Sequence, residues 1–359
     1  MFNISAVVIC KNEESNIKNC INSLIDFFGD IVVIDTGSTD STIYLLSCYQ
    51  RDGLIRLYNY EWKRSFSDAR NYGISLANFD WVFFIDADEV LASESKADYL
   101  NSDIVSFLNE ENNISFSVKI EDSFNSLWSY VPRGLKKSSG LHYYGNVHEI
   151  IISKDQNAVA SPVIPITLRH YGYQPYMQWK KGKFYRNLSL LRPMLIKGIF
   201  NDRWRFFYVR NSISNGSFNS RIFMESIYII DISFSKDSSC WSDGITITKK
   251  ILELSLFKGY LNVIVFLYLR YRKKIVMNTL FIYYINEFIK VDQSSITYIE
   301  KNIPKKDMEE DFNFAKSKNA FLTTPSNAVV YVSELNFFSD VILSPQENHD
   351  FLCDENTKL

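Results

Sequence analysis

Three short runs of almost uninterrupted apolar residues constrain the fold of this chain more than any other feature. The runs are "ISAVVIC" (4–10), "DIVVID" (30–35) and "WVFFID" (81–86), and segments with apolar residues at helical spacing lie between them. Continuous apolar strands are typical of a sheet that is covered on both faces. Repeated β-α units of this length therefore predict an α/β fold with a mostly parallel sheet and helices on both faces.

The pattern changes after about residue 91. Strands are predicted at 114–122, 140–153 and 163–173, and mainly helical segments at 184–199, 204–214, 221–234, 247–268 and 275–290. A chain of 359 residues is long enough for two domains. We therefore predict a first domain over residues 1–175, divided at 91, and a mainly helical region over residues 176–359.

Composition excludes some classes of protein. The net charge of −2 argues against a general nucleic-acid binder, which would be strongly basic. The five cysteines show no C-x-x-C spacing, which favours free thiols in a reducing compartment. No signal peptide is visible, and the most apolar stretch, 261–268, is too short to span a bilayer. We expect a cytoplasmic protein whose membrane contact is peripheral at most.

Polar residues follow each apolar run. They are "CKNEE" (10–14), "DTGSTD" (35–40) and Asp86-Ala87-Asp88, together with "EWKRSFSDARNYG" (61–73). Because strands of a parallel sheet end at one edge, these residues should line one crevice. Asp35 is suited to accept hydrogen bonds from a base or a ribose, and Arg70 to meet phosphate oxygens.

Asp86 and Asp88 have a more specific chemistry. Crowded carboxylates repel each other unless a cation or hydrogen-bond donors lie among them. Oxygen ligands of this kind suit Mg²⁺ or Mn²⁺, which can bridge to a diphosphate. The alternative is a solvated acidic turn, with "TGSTDST" serving only as a turn and a helix N-cap.

These stretches resemble a known family. "VVICKNEESNIKNCINSL", "IVVIDTGSTDST", "DARNYG" and "WVFFIDADE" are similar to the nucleotide-sugar-binding half of GT-A family 2 glycosyltransferases, over about residues 4–91. "YEWKRSFSDARN", "GNVHE" (145–149) and "RHYGY" (169–173) look like the sublancin-type peptide glycosyltransferases, and also like a lipopolysaccharide-core glucosyltransferase group. Sublancin-type enzymes continue into tetratricopeptide-like repeats that support dimers, and that repeat signature is absent here.

The resemblance implies a GT-A, Rossmann-like fold and an inverting transfer from a UDP-sugar, with UDP-glucose as the first candidate. Mg²⁺ or Mn²⁺ would offset charge on the departing UDP. By analogy, Asp86 would face the ribose, or the metal through water, and Asp88 would bind the metal directly. The expected donor contacts are Asp35 for uridine, Glu13 for ribose and Arg70 for pyrophosphate.

In-line attack also requires a general base on the acceptor side. We expect Glu149 in this role, in a pocket rimmed by Tyr143, Tyr144 and His148, with His148 as the rival base or orienting group. The alternative is an ordinary carboxylate paired with Arg133 or Lys136. His170 is a candidate third metal ligand, as a histidine is in some GT-A enzymes; otherwise it is a core histidine bonded to backbone.

Together these inferences predict transfer of a hexose to a Cys or Ser/Thr side chain of a bacteriocin precursor peptide. One alternative acceptor is a cell-envelope polysaccharide or lipopolysaccharide core. Another alternative is a catalytically silent nucleotide-sugar binding protein. The expected partners are the UDP-sugar, the acceptor peptide or envelope glycan, and a second copy of the chain. The helical region is expected to serve dimer formation or acceptor binding.

Overall fold

The computed structural model describes residues 2–93, 95, 102–122, 128–171, 182–197, 201–235, 241–258 and 260–271. The chain divides into two compact units, Met1–Asn201 and Asp202–Leu359. The sequence predicts this boundary at residues 175 and 176, and the helix Lys183–Lys197 lies in the first unit.

The first unit is an α/β structure. Its strands are β1 (Phe2–Cys10), β2 (Phe28–Asp35), β3 (Arg56–Asn59), β4 (Trp81–Asp86), β5 (Glu89–Leu91), β6 (Ser115–Asp122), β7 (Trp128–Lys136), β8 (His142–Tyr144), β9 (Ile150–Ile152) and β10 (Val163–His170). Its helices are α1 (Ile17–Leu24), α2 (Thr42–Arg51), α3 (Phe66–Leu76), α4 (Ser102–Asn109) and α5 (Lys183–Lys197). The predicted run 140–153 is thus two short strands joined by a loop.

Eight of these strands form one sheet in the order β3-β2-β1-β4-β7-β6-β10-β5. Strands β3, β2, β1 and β4 are parallel, as are β6 and β10, whereas β7 is antiparallel to both of its neighbours. Cys10 pairs with Asp35, and Ile9 pairs with Asp86, so these three strands end at one level. The predicted α/β fold with a mostly parallel sheet is confirmed, and it brings the strand-end residues to one edge.

Both faces of the sheet are covered. Helices α1, α2 and α4 pack on one face through residues such as Ile21, Leu46 and Ile104. Helix α3 and the β8–β9 hairpin pack on the other face. Helix α3 begins after Ser65, whose hydroxyl accepts a hydrogen bond from the Asp68 amide at 3.1 Å. This cap fixes the position of the first turn of α3, which reaches the crevice.

The helices that follow are α6 (Asn201–Ser214), α7 (Ser220–Ser235), α8 (Trp241–Lys258) and α9 (Leu261–Tyr271). Their apolar faces form a core of their own that includes Val209, Ile230, Ile251 and Leu267. The predicted segment 247–268 spans parts of two helices rather than one. The predicted helix 275–290 lies outside the described residues. Among the residues described, we find no helix that combines the length and the apolar character required to cross a membrane.

Candidate active site

At the carboxyl edge of the sheet, hydrogen bonds join the loop between β1 and α1 to the loop between β2 and α2. The Asn12 amide donates to the Ser38 hydroxyl at 2.9 Å, and the Asn12 side-chain oxygen accepts from the Thr39 amide at 2.8 Å. The Glu13 amide donates to the Thr42 hydroxyl at 2.8 Å. The loop that carries Glu13 is therefore held against the start of α2.

Asp35 lies beneath these loops and shapes one of them. Its Oδ2 accepts hydrogen bonds from the amides of Gly37 and Ser38, each at 2.9 Å, and the residue is only 2% exposed. Gly37 adopts a positive φ of 98°, which a residue with a Cβ rarely adopts. The turn after β2 therefore depends on Asp35 as well as on glycine.

Five charged side chains of alternating sign form a continuous chain at the edge, in the order Glu89, Arg133, Asp86, Arg70 and Glu149. Arg133 donates through Nη2 to Glu89 at 2.6 Å and to Asp86 at 2.8 Å. Arg70 donates through Nη2 to Asp86 at 2.9 Å and through Nε to Glu149 at 2.6 Å. Both arginines are 7% exposed, so their charges are compensated mainly by these carboxylates.

The chain of charges changes the acidity of its members. Burial alone would raise the pKa of Asp86, but Arg133 and Arg70 outweigh it and hold that pKa well below its usual range. Burial, opposed by Arg133 and reinforced by Asp86, raises the pKa of Glu89 to about 7. Asp86 is therefore a stable anion, whereas Glu89 exchanges its proton near neutral pH.

A second charged group lies beside this chain. His170 Nε2 lies 3.4 Å from Asp88 Oδ1, and Lys183 Nζ lies 3.6 Å from Asp88 Oδ2. Burial acts to raise the pKa of Asp88, but His170 and Lys183 outweigh it and lower that pKa. For His170, burial acts to lower the pKa, and the contact with Asp88 raises it overall. Strand β5 explains the approach, because Glu89 pairs with His170 across β5 and β10.

These residues suit a divalent metal only in part. Asp88 and His170 offer an oxygen and a nitrogen donor side by side. Both oxygens of Asp86 accept hydrogen bonds from arginines. In the part of the chain that is described, no three His, Cys, Asp or Glu side chains group to hold a metal alone. Substrate phosphates and water would have to complete the coordination, as is usual for Mg²⁺.

Glu149 ends the loop 145–149, which joins β8 to β9. Asn71 of α3 fixes the start of this loop: its side-chain oxygen accepts from the Tyr143 amide at 2.8 Å, and its Nδ2 donates to the Tyr143 carbonyl at 2.9 Å. The Phe66 amide donates to the Asn146 carbonyl at 2.9 Å. His148 precedes Glu149 and has a positive φ of 55°. Two hydrogen bonds therefore fix the end of β8 to α3, and a third fixes the loop itself.

Helix α5 brings further positive charge to the same crevice. The Arg186 guanidinium lies 5.1 Å from the centre of the Phe66 ring. Its charge interacts with Asp88, Glu13 and Glu149. Lys183, one turn earlier, contacts Asp88. The crevice thus carries cations that remain partly accessible, which a diphosphate requires.

Comparison with known proteins identifies a family for part of the chain. The sequence model described as Glycosyl transferase family 2 matches residues 5–147. The SPbeta prophage-derived glycosyltransferase SunS of Bacillus subtilis is 31% identical over 208 residues, which is 58% of this chain and 48% of SunS. The lipopolysaccharide core biosynthesis glycosyltransferase LpsC of Rhizobium meliloti is 38% identical over 88 residues, 24% of this chain and 32% of LpsC.

Residues 5–147 form a family 2 glycosyltransferase domain. The family-level resemblance drawn from the motifs is confirmed. The chain spans about half the length of SunS, with 48% of that protein covered. Among solved structures, S. aureus TarS aligns with a TM-score of 0.39 at 15% identity, covering 67% of this chain and 50% of TarS, a likeness too distant to support an inference.

The fold places the predicted site residues at one edge of the sheet but changes some of their partners. Glu149 pairs with Arg70 and not with Arg133 or Lys136. Arg133 instead pairs with Asp86 and Glu89. Tyr143 does not rim a pocket, because it is 4% exposed and its ring packs against Phe84.

Sequence reasoning considered Arg133 only as a partner of Glu149, and it gave no role to Glu89 or Asn71. One signal was available for Arg133: it is a charged residue inside a strand, in "YVPRGLKK" (130–137). A charged side chain on a covered face of a sheet is buried, so it requires a partner of opposite charge. The partner of Arg133 is set by the pairing of β7 with β4, which cannot be predicted from the local sequence pattern.

Proposed function

We propose that the glycosyltransferase domain transfers a hexose from a UDP-sugar to a Cys or Ser/Thr side chain of a ribosomally made peptide. One observation carries the proposal. The pair Asp88–His170 and the carboxylate of Glu149 belong to one edge of the sheet, where Arg70 connects Glu149 to Asp86. Open α/β sheets bind their ligands at this edge.

The donor would bind against the interlaced loops that follow β1 and β2. Glu13 would contact the ribose. Asp35 would contact the uridine through Oδ1, which also accepts from the Cys10 thiol at 3.7 Å, since the turn uses its Oδ2. Lys183 and Arg186 on α5 supply positive charge for the diphosphate.

Asp88 and His170 would hold Mg²⁺ or Mn²⁺, with Asp86 acting through water. A divalent ion bound there would supply positive charge to the departing UDP. Lys183 lies beside the same carboxylate and adds to that field. Asp86 is fixed by Arg70 and Arg133, so its position does not depend on an ion.

Glu149 would accept the proton of the attacking thiol or hydroxyl. Its Oε1 is bound by Arg70, and its Oε2 has no hydrogen bond to a described residue. The side chain of Glu149 is 11% exposed. His148, the neighbouring residue, would orient the acceptor or serve as the base in its place.

Similarity of sequence favours a peptide acceptor over an envelope glycan. The match to SunS extends over 208 residues, beyond the end of the nucleotide-sugar-binding half, whereas the match to LpsC covers 88. We expect the acceptor contacts in the part of the first domain that follows residue 91. The envelope glycan remains the second candidate because LpsC shows the higher identity of the two, 38%.

Mass spectrometry tests this proposal directly. The full chain would be incubated without membranes with peptides containing Cys or Ser, a panel of UDP-sugars and Mn²⁺. We expect one hexose to be added to a peptide side chain. Transfer only to an oligosaccharide or lipid-linked acceptor would favour the envelope alternative. Binding of UDP-sugar with no transfer to any acceptor would indicate a silent binding protein.

A further inference from the structure

We propose that Arg70 is a positioning residue that holds Glu149 in place by tying it to Asp86, and that it is not a ligand of the donor diphosphate. The inference rests on the proposed role of Glu149 as the base. It replaces the pyrophosphate contact that the resemblance implied for Arg70. The resemblance gave the position of Arg70 at the edge, and the structure gives its contacts.

The contacts of Arg70 join two parts of the domain. Its Nη2 donates to Asp86 at the end of β4 at 2.9 Å, and its Nε donates to Glu149 at 2.6 Å. Asp86 belongs to the donor side, whereas Glu149 ends the loop between β8 and β9. One guanidinium therefore fixes the distance between a donor-side and an acceptor-side carboxylate.

Two aromatic rings orient the guanidinium. Its Cζ lies 5.4 Å from the ring centre of Phe84 and 5.3 Å from that of Tyr143. Rings at this distance attract a cation and restrict its plane. An arginine so confined donates from two separate nitrogens in fixed directions, which a lysine cannot do.

The bonds that Arg70 already makes to Asp86 and Glu149 argue against a direct contact with the diphosphate. Arg70 is 7% exposed, and two of its nitrogens are bonded to carboxylates. The side chain of Lys183 is 26% exposed, and Arg186 is exposed at the same edge. The accessible cations of α5 are better placed for phosphate oxygens, so Arg70 is left to act through Glu149.

A double-mutant cycle tests this role in the full chain. We expect Arg70→Met to lower kcat on the order of 10²-fold, because a displaced catalytic group loses about that factor. The Kd for UDP should change little. In a Glu149→Gln background, Arg70→Met should lower kcat no further. Arg70→Lys should retain part of the rate, because lysine keeps the positive charge but has one donor nitrogen in place of two.

Arg56 provides a matched control. It bonds the carboxylate of Asp30 through Nε and Nη2, both at 2.9 Å. Asp30 lies near the start of β2, whereas the crevice lies at its end. Arg56→Lys likewise replaces two donor nitrogens on a carboxylate with one, and it does so away from the proposed site. We expect it to reduce stability and to leave kcat unchanged.

The outcomes separate this inference from the proposed function. If Glu149→Gln leaves kcat unchanged, Glu149 is not the base, and the positioning role falls with it. If Glu149→Gln lowers kcat and Arg70→Met lowers it equally again in that background, only the positioning role is wrong. A rise in the Kd for UDP that matches the loss in kcat would make Arg70 a donor ligand. If Arg70→Met does not fold, the same comparisons are made with Arg70→Lys.

Discussion

Glu89 should make the stability of the chain fall as pH rises towards neutrality. Its side chain is 1% exposed and accepts hydrogen bonds from Arg133 at 2.6 Å and from the Asp86 amide at 2.8 Å. Burial, opposed by Arg133, raises its pKa to about 7 from an ordinary value of 4.5. At roughly 1.4 kcal/mol for each pKa unit, the difference corresponds to about 3 kcal/mol of unfolding free energy.

The sign follows from proton binding. Between pH 4.5 and 7, the folded chain keeps the Glu89 proton and the unfolded chain releases it. The stabilising contribution is therefore fully present below the lower value and is lost as pH rises through about 7. Above that pH the contribution no longer changes. Glutamine at this position has no proton to exchange, so Glu89→Gln should lack this fall.

Urea unfolding of both proteins, in EDTA and at several pH values, measures the effect. The quantity compared is the change of unfolding free energy with pH. Glutamine has one acceptor oxygen in place of two, so Glu89→Gln loses one of the bonds from Arg133 and the Asp86 amide and is less stable at every pH. We expect the advantage of the wild-type chain over the variant to shrink by about 3 kcal/mol across the range. If the unfolding free energies of the two proteins change in parallel with pH, Glu89 has the same pKa in the folded and unfolded chains.

Three further predictions concern residues around the site. Asn71→Ala removes two hydrogen bonds from the start of the 145–149 loop and should lower stability by roughly 1–3 kcal/mol, with a fall in kcat measured in the same preparation. Gly73→Ala would place a Cβ 2.6 Å from Val7 Cγ1, so thermal unfolding should show a loss of about 1–3 kcal/mol, and an unchanged Tm would contradict this packing. Lys183→Met should raise the KM for the UDP-sugar more than it lowers kcat, and equal effects on both would argue against a donor contact.

The pattern of apolar residues along the chain was enough to predict the strands whose formation depends on neighbouring residues in the sequence. The apolar runs that end at Cys10, Asp35 and Asp86 became β1, β2 and β4, because a strand buried on both faces needs apolar residues throughout. The common edge followed from parallel pairing, so the sequence was enough to bring Asp35 and Asp86 together.

Partners that depend on long-range register could not be predicted. Strand β5 has only three residues, too few for a pattern, and it brings His170 to Asp88. The antiparallel strand β7 inserts Arg133 between Asp86 and Glu89, although 44 residues separate Arg133 from Glu89. The metal, the donor contacts and the base remain predictions, since they concern ligands that bind to this edge.

Binding of UDP to the full chain, measured by calorimetry with and without Mn²⁺, tests the central claim most directly. Asp88→Asn removes the charge of one proposed metal ligand, and Arg56→Lys serves as the control variant remote from the edge. We expect tight binding of UDP in Mn²⁺, and loss of that binding both in EDTA and in Asp88→Asn. Binding of equal strength in wild-type chain with EDTA and in Asp88→Asn would contradict the claim.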